Sequence, residues 1–157
     1  MWWRLPRSDW QALGKEQRRA AFKAIVDRGE ITGVLLMQDN EAVGWCAVTP
    51  RFVLPTFLRS SVAKPIDENP SWCISCFFIK AGHRRRGHME HLIRGAIWFA
   101  RRHGAKILDA FPQETEGRDG FVDTFVGVAS CFRACGFSEV VRRGKWRPAM
   151  RLDLAWN

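Results

Sequence analysis

Hydrophobic and polar positions change their period several times along the chain. Between Lys15 and Arg28, the residues Ala21, Phe22, Ile25 and Val26 fall at helical spacing, and Gly29 follows as a stop. Ser8 followed by Gln11 resembles a capping box and predicts a helix beginning there. Gly33 to Gln38 and Ala42 to Val48 are apolar runs flanking Asp39-Asn40-Glu41, the pattern of a β-hairpin. Pro50 to Pro70 carries prolines at 50, 55, 65 and 70. It predicts a long crossing loop with a short helix near Phe57, and loops of this length in small domains are usually functional. Ser71 to Ile79 predicts a buried strand. Met89, Leu92, Ile93, Ala96, Ile97 and Ala100 then recur three and four apart, with Glu90, His91, Arg94, Arg101 and Arg102 on the other side and Gly104 at the end. This is the clearest helix. Lys106 to Phe111 predicts a short strand ended by Pro112, and Val126 to Cys135 a helix stopped by Gly136. Ser138 to Arg142 and Met150 to Trp156 predict the last strands. Strands and helices in this order imply α/β layering around a mixed sheet.

A length of 157 residues suits one compact domain, so residues 1–157 read as a single unit. The hydrophobic fraction of 46% excludes a disordered chain. No run of about 18 apolar residues predicts a membrane helix. Met1-Trp2-Trp3-Arg4-Leu5-Pro6 lacks the form of a secretory signal, so the expectation is a cytoplasmic protein with no membrane partner. The five cysteines argue against a disulfide framework. Cys73 and Cys76, three apart in a strand, face opposite ways, and no second CxxC follows, so no metal site is expected.

The net charge of +9 favours polyanionic partners, and its distribution sharpens this. Lys80, Arg84, Arg85, Arg86, Arg94, Arg101, Arg102 and Lys106 fall in one stretch where Glu90 is the only acid. Within it, Phe77-Phe78-Ile79 leads into Lys80-Ala81-Gly82-His83-Arg84-Arg85-Arg86-Gly87-His88-Met89. A buried strand thus enters a basic turn that opens an amphipathic helix. Helix starts expose unpaired N–H groups and partial positive charge, so this turn is a candidate anion cradle. Gly87 lets phosphate oxygens approach the backbone, and the arginines add charge-assisted bonds. The alternative is a solvated basic turn capping a surface helix; the flanking strand and helix favour phosphate binding. Neither GxxxxGK[ST] nor GxGxxG is present.

The segment resembles the acetyl-CoA motif of the GNAT superfamily of N-acetyltransferases, Arg/Gln-x-x-Gly-x-Gly/Ala between a strand and a helix. Arg84 and Gly87 match, and Met89 departs from the last small position. Ile79 stands at the family's strand-end hydrophobic position. Ser130-Cys131-Phe132-Arg133-Ala134-Cys135-Gly136-Phe137 resembles its late helix ending in Gly-Phe, and Val43-Gly44-Trp45 its early valine-glycine strand. The resemblance spans roughly Gly33 to Trp156. It implies a mixed, mostly antiparallel sheet flanked by helices, with the family's fourth and fifth strands splayed apart. It also implies an N-acetyltransferase with acetyl-CoA as co-substrate and an amine as acceptor.

On this resemblance the cofactor-binding residues are Phe77, Phe78, Ile79, Arg84, Arg85, Arg86, Gly87, His88, Met89, Ser130, Phe132 and Arg133. Backbone of the first three pairs with pantetheine, and an N–H of that strand polarises the thioester carbonyl. Phe132 holds the place of the family's usual tyrosine acid, and the chain has no tyrosine. A thiol pKa of about 8.5 makes the thiolate a tolerable leaving group without a strong acid. Asp109 and Glu114 are the candidate bases; the alternative is an ion-paired Asp109 and a solvated Glu114. Trp2, Trp3 and Trp10 cover the sheet, line a partner surface or close the acceptor pocket. A small-molecule amine is the first expectation for the acceptor, with protein amines and aminoacyl-tRNA as alternatives. Two other readings are a nucleic-acid-binding domain, disfavoured because the tryptophans do not interleave with the basic run, and a coenzyme A sensor without catalysis. The family's members are often dimers, so a homodimer is a candidate state.

Overall fold

The computed structural model describes residues 2–118 and 122–155, apart from the side chain of Trp2. A 3-10 turn at Trp2–Arg4 leads to α1 (Arg7–Ala12) and α2 (Lys15–Asp27). The hairpin follows as β1 (Val34–Gln38) and β2 (Glu41–Pro50), then α3 (Pro55–Leu58), β3 (Trp72–Ile79) and α4 (His88–Arg102). The chain closes with β4 (Ile107–Ala110), α5 (Ala129–Ala134), β5 (Ser138–Arg142) and β6 (Pro148–Asp153). The six strands form one sheet in the order β1-β2-β3-β4-β6-β5, and only the β3–β4 pair is parallel. This is the mixed, mostly antiparallel α/β sheet implied by the resemblance.

Several boundaries differ from the sequence reading. Ser8 caps nothing: α1 begins at Arg7 behind Pro6, and Ser8 Oγ bonds Asp9 instead. Proline is well suited to a helix start, which moves the boundary forward. The real cap lies at α2, where Gln17 Oε1 accepts the Gly14 N–H at 2.8 Å. The late helix starts at Ala129, not Val126, because Gly127 takes φ +89° and Val128 is extended. The last strand ends at Asp153, and Trp156 lies outside the described residues.

Helix α4 lies across β1, β2 and β3. Its apolar stripe, Leu92, Ile93, Ala96, Ile97 and Ala100, is buried against Cys46, Val48, Ile74 and Phe77. Each such Leu or Ile contributes about 1.5–3 kcal/mol, so the start of α4 is held firmly against the end of β3. The crossing segment from Pro50 to Pro70 is packed rather than loose. Leu54, Phe57 and Ala63 form a second buried cluster with Cys73, Phe111 and Ala149. Its backbone carbonyls are held by Arg51, which reaches Asp67 and Asn69, and by Arg143, which reaches Pro65 at 2.8 Å.

The sheet opens in its middle. β3 and β4 pair at Trp72, Cys73 and Ile74 only, and β3 runs on to Ile79 without β4 beside it. In the β2–β3 ladder, Ala47 faces Cys76 and Val48 faces Ile74, so Ser75 is an extra, bulged residue. A bulge bends its strand and sharpens the twist, here where the two strands part. Past Ala110, the chain instead bridges Gln113 to Val128.

Candidate functional site

The basic turn and the open edge of β3 meet in one groove of about 640 Å³. Phe77, Phe78 and Ile79 form one wall, and Arg84, Arg85, Gly87, His88 and Met89 form the end at the start of α4. Val122 to Phe125, Val128 and Cys131 close the other side. Eight of the residues picked from the sequence therefore come together. Arg85 sits at φ +60° and Gly87 at φ +77°, and this pair of left-handed residues turns the chain from strand to helix. A Cβ built on Gly87 meets no protein atom within 4 Å, so the space beside it belongs to the groove. At the start of α4 the Glu90 N–H donates to the Gly87 carbonyl at 3.1 Å, while the His88 and Met89 N–H groups precede the first helical turn. His88 lines the groove, and its Nε2 is buried without a hydrogen-bond partner. These donors suit a phosphorylated ligand such as coenzyme A, whose chemistry is anionic at one end and amide-rich along its arm.

Four predicted cofactor residues lie elsewhere. Arg86 is exposed and outside the groove lining. Phe132 is fully buried on the inner side of α5, where its ring meets Phe77 at 6.0 Å and Phe137 at 5.0 Å. It stands behind the groove wall rather than on it. Ser130 and Arg133 are exposed, and Arg133 turns to Glu114. On α5 it is Cys131 that faces the groove. Burial raises its thiol pKa, with Glu90 adding to the effect, so it is protonated at neutral pH.

The edge of β3 is already in use. The Phe77 N–H donates to the Phe125 carbonyl at 2.6 Å, so this amide points into the gap. Arg84 Nε donates to the Ile79 carbonyl at 3.1 Å, which ties the turn to the strand end. The carboxylate of Asp123 accepts the Phe125 N–H at 3.2 Å and so shapes that loop.

A second cavity, of about 340 Å³, lies on the face of the sheet away from α4. Strand alternation puts Cys46 and Val48 towards α4 and Trp45, Ala47 and Thr49 towards this cavity. Trp3, Trp10 and Phe22 cover it from the N-terminal segment, and Ser75 and Cys76 line it from the bulge. Of the three early tryptophans, Trp3 and Trp10 thus line an internal cavity, while the side chain of Trp2 is outside the described residues. Phe125 lines both the cavity and the groove, so the two spaces meet at this ring. Alternation along the strand at 45, 47 and 49 was a usable signal for these residues. Nothing in the sequence pattern marked Phe125.

The two candidate bases stand in neither space. Asp109 is fully buried. Its Oδ1 accepts from Arg151 Nε at 2.7 Å, and its Oδ2 accepts from Ser71 Oγ at 2.7 Å and Arg151 Nη2 at 3.1 Å. Arg151 also grips Asp67, and that bond holds the Asp67 carboxyl down to about 2. Glu114 is not the solvated loop residue of the alternative reading, since its side chain is only 11% exposed. Arg133 bonds it at 2.5 Å and holds its carboxyl below the ordinary range.

An open mixed sheet with a basic helix start beside its parted strands defines an α/β domain whose groove suits a phosphorylated ligand. The chain belongs to the acetyltransferase (GNAT) family, whose model matches residues 1–119. Acetyl-CoA is the co-substrate typical of that family. Its fold is similar to that of a Salmonella typhimurium protein described as an acetyltransferase and solved with its cofactor acetyl-CoA. The TM-score is 0.56 at 17% identity, over 92% of this chain and 76% of that one. The ribosomal-protein-alanine N-acetyltransferase of Brucella melitensis is similar at a TM-score of 0.54 and 17% identity, over 90% and 79%. The ribosomal-protein-S18-alanine N-acetyltransferase of Escherichia coli is similar at 0.52 and 12% identity, over 92% of both chains. No curated protein matches the sequence. Among the described residues, no helix is long and apolar enough to cross a membrane.

Proposed function

We propose that the chain, acting as one domain over residues 1–157, transfers acetyl from acetyl-CoA to the amine of a small molecule. The observation that carries this reading is the meeting of groove and cavity at Phe125, beside the bulged and parted edge of β3. The start of α4 with Arg84, Arg85, Gly87 and His88 holds the pyrophosphate. The backbone of Phe77 and Ile79 pairs with the pantetheine arm, and for this the Phe77 N–H exchanges Phe125 for the ligand. Bound there, acetyl-CoA supplies an acetyl group activated as a thioester.

The acceptor nitrogen, entering from the cavity, forms the new C–N bond as the C–S bond breaks. One amine proton leaves to water, the sulfur takes one up, and the products are an N-acetyl amine and coenzyme A. The chain contributes position, which lowers the barrier of a two-substrate transfer by removing its orientational entropy cost. Asp109 and Glu114 take no proton in this scheme, because their oxygens are committed to Arg151, Ser71 and Arg133. The Cys131 thiol, protonated at neutral pH, lines the groove and is the candidate proton donor to the departing sulfur.

The test is labelling of cysteines with N-ethylmaleimide, read peptide by peptide in a mass spectrometer. Saturating acetyl-CoA should slow modification of Cys131 at least tenfold. Equal labelling with and without acetyl-CoA would remove the groove from the cofactor's path. Release of free coenzyme A with an amine panel then tests turnover.

A further inference from the structure

The chemistry of the cavity is specific enough to name a substrate class. We propose that it binds a small aromatic amine in its neutral form, the ring held among Trp3, Trp10, Phe22 and Trp45 and one polar substituent bonded to Thr49. This rests on the acetyl-transfer reading above.

The walls are fixed before any ligand arrives. Trp3 Nε1 donates to the Ser75 carbonyl at 3.1 Å, and its ring stands edge-on to Phe57 at 4.7 Å. Phe22 stands edge-on to Trp45 at 5.7 Å. Aromatic surfaces held this way favour a flat aromatic guest, because stacking and edge contacts need no reordering of the host. A volume of about 340 Å³ fits a small molecule and not a folded or extended chain segment of any length.

Charge selects the form of the amine. Among the described residues, no carboxylate lines the cavity, and its one permanently charged residue is Arg4. The Arg4 guanidinium bonds the Ile31 carbonyl at 2.6 Å and pairs with Glu30 at 3.5 Å. Aromatic faces attract cations, yet the Trp10 ring already carries the Arg18 guanidinium at 4.3 Å. An ammonium entering here gives up its water and finds no carboxylate in the cavity lining; the acids that bear on it are Glu30, already paired with Arg4, and Asp123 on the groove side, which acts on Cys76. A neutral amine avoids the loss of hydration, and it is also the form with the lone pair that attacks.

Thr49 adds an independent mark. It lines the cavity and is 2% exposed, and its Oγ1 has no hydrogen-bond partner. A buried hydroxyl left unpaired is unfavourable, and a polar group on the guest relieves it. Cys76 and Phe125, on the lining at the groove side, place the amine end of such a guest towards the thioester.

The experiment compares kcat/KM for aniline, 4-aminophenol, n-hexylamine, spermidine and an alanine-initiated tetrapeptide, with the full chain and saturating acetyl-CoA. The aromatic amines should exceed the other three by tenfold or more, and 4-aminophenol should protect Cys76 from N-ethylmaleimide. Thr49→Val, which keeps the side-chain shape, should lower kcat/KM for 4-aminophenol about fivefold more than for aniline, the scale of one hydrogen bond. Melting curves establish that the variant is folded. Preference for spermidine, hexylamine or the peptide overturns the substrate class. Equal effects of Thr49→Val on both aromatic amines overturn the role of Thr49. If Cys131 is protected by acetyl-CoA and no aromatic amine is acetylated, this inference fails while the acetyl-CoA reading stands. If Cys131 is unprotected, the acetyl-CoA reading itself fails.

Discussion

Gly87→Glu puts a side chain and a negative charge at the start of α4, where the pyrophosphate is proposed to bind. The glycine sits at φ +77°, so any other residue there costs about 1–2 kcal/mol of stability. That lowers the melting temperature by roughly 2–8 °C for a chain of this size. The effect on affinity is separate and larger. With open space around the built Cβ, the new carboxylate stands in the groove itself. Two like charges about 4 Å apart repel by about 4 kcal/mol at an effective dielectric near 20. Allowing for the open side of the groove, about 2–4 kcal/mol is lost, which weakens coenzyme A roughly 30- to 1,000-fold. Arg102→Glu at the other end of the same helix is the control. It lies about 21 Å away along the axis, more than two Debye lengths at about 0.15 M salt. It forfeits the contact of Arg102 with the Trp98 ring but should change affinity by less than about twofold. Calorimetric titration of both folded variants with coenzyme A decides the matter. Comparable losses in the two would mean that a diffuse basic surface, not the helix start, binds the phosphates.

Asp109→Asn should cost about 3–5 kcal/mol, because it leaves Arg151 partly unpaired at a buried site. If Asp109 serves the fold alone, the variant assayed well below its lowered melting point keeps kcat within about threefold; a loss of a hundredfold or more returns it to the role of base. Stability should also fall as the pH drops from 4 towards 2. The Asp67 carboxyl is held down to about 2 by Arg151, so the unfolded chain takes up that proton first. Asp67→Asn should show a shallower loss over this range in urea titrations, and an unchanged slope would refute the assignment.

The sequence by itself determined the elements with strong local signals. The periodic face of α4, the hairpin around Asp39 and Asn40, and the basic turn through Gly87 are each written within a few adjacent residues. Their chemistry follows from backbone geometry at that place alone, which is why eight of the residues picked from the sequence line one groove. Tertiary structure decided everything that depends on which distant residues meet. Whether Asp109 is a base or half of an ion pair depends on Arg151, 42 positions away. Which residue of α5 faces the groove depends on the rotation of that short helix and its packing on Phe77, so Cys131 lines the groove and Phe132 stands behind it. Trp3 and Trp10 became cavity walls only in the tertiary structure, Trp3 through its bond to the Ser75 carbonyl on the bulged strand. Local sequence sets backbone preference, but burial and pairing are properties of the whole chain's packing, and a catalytic side chain is defined by what it touches.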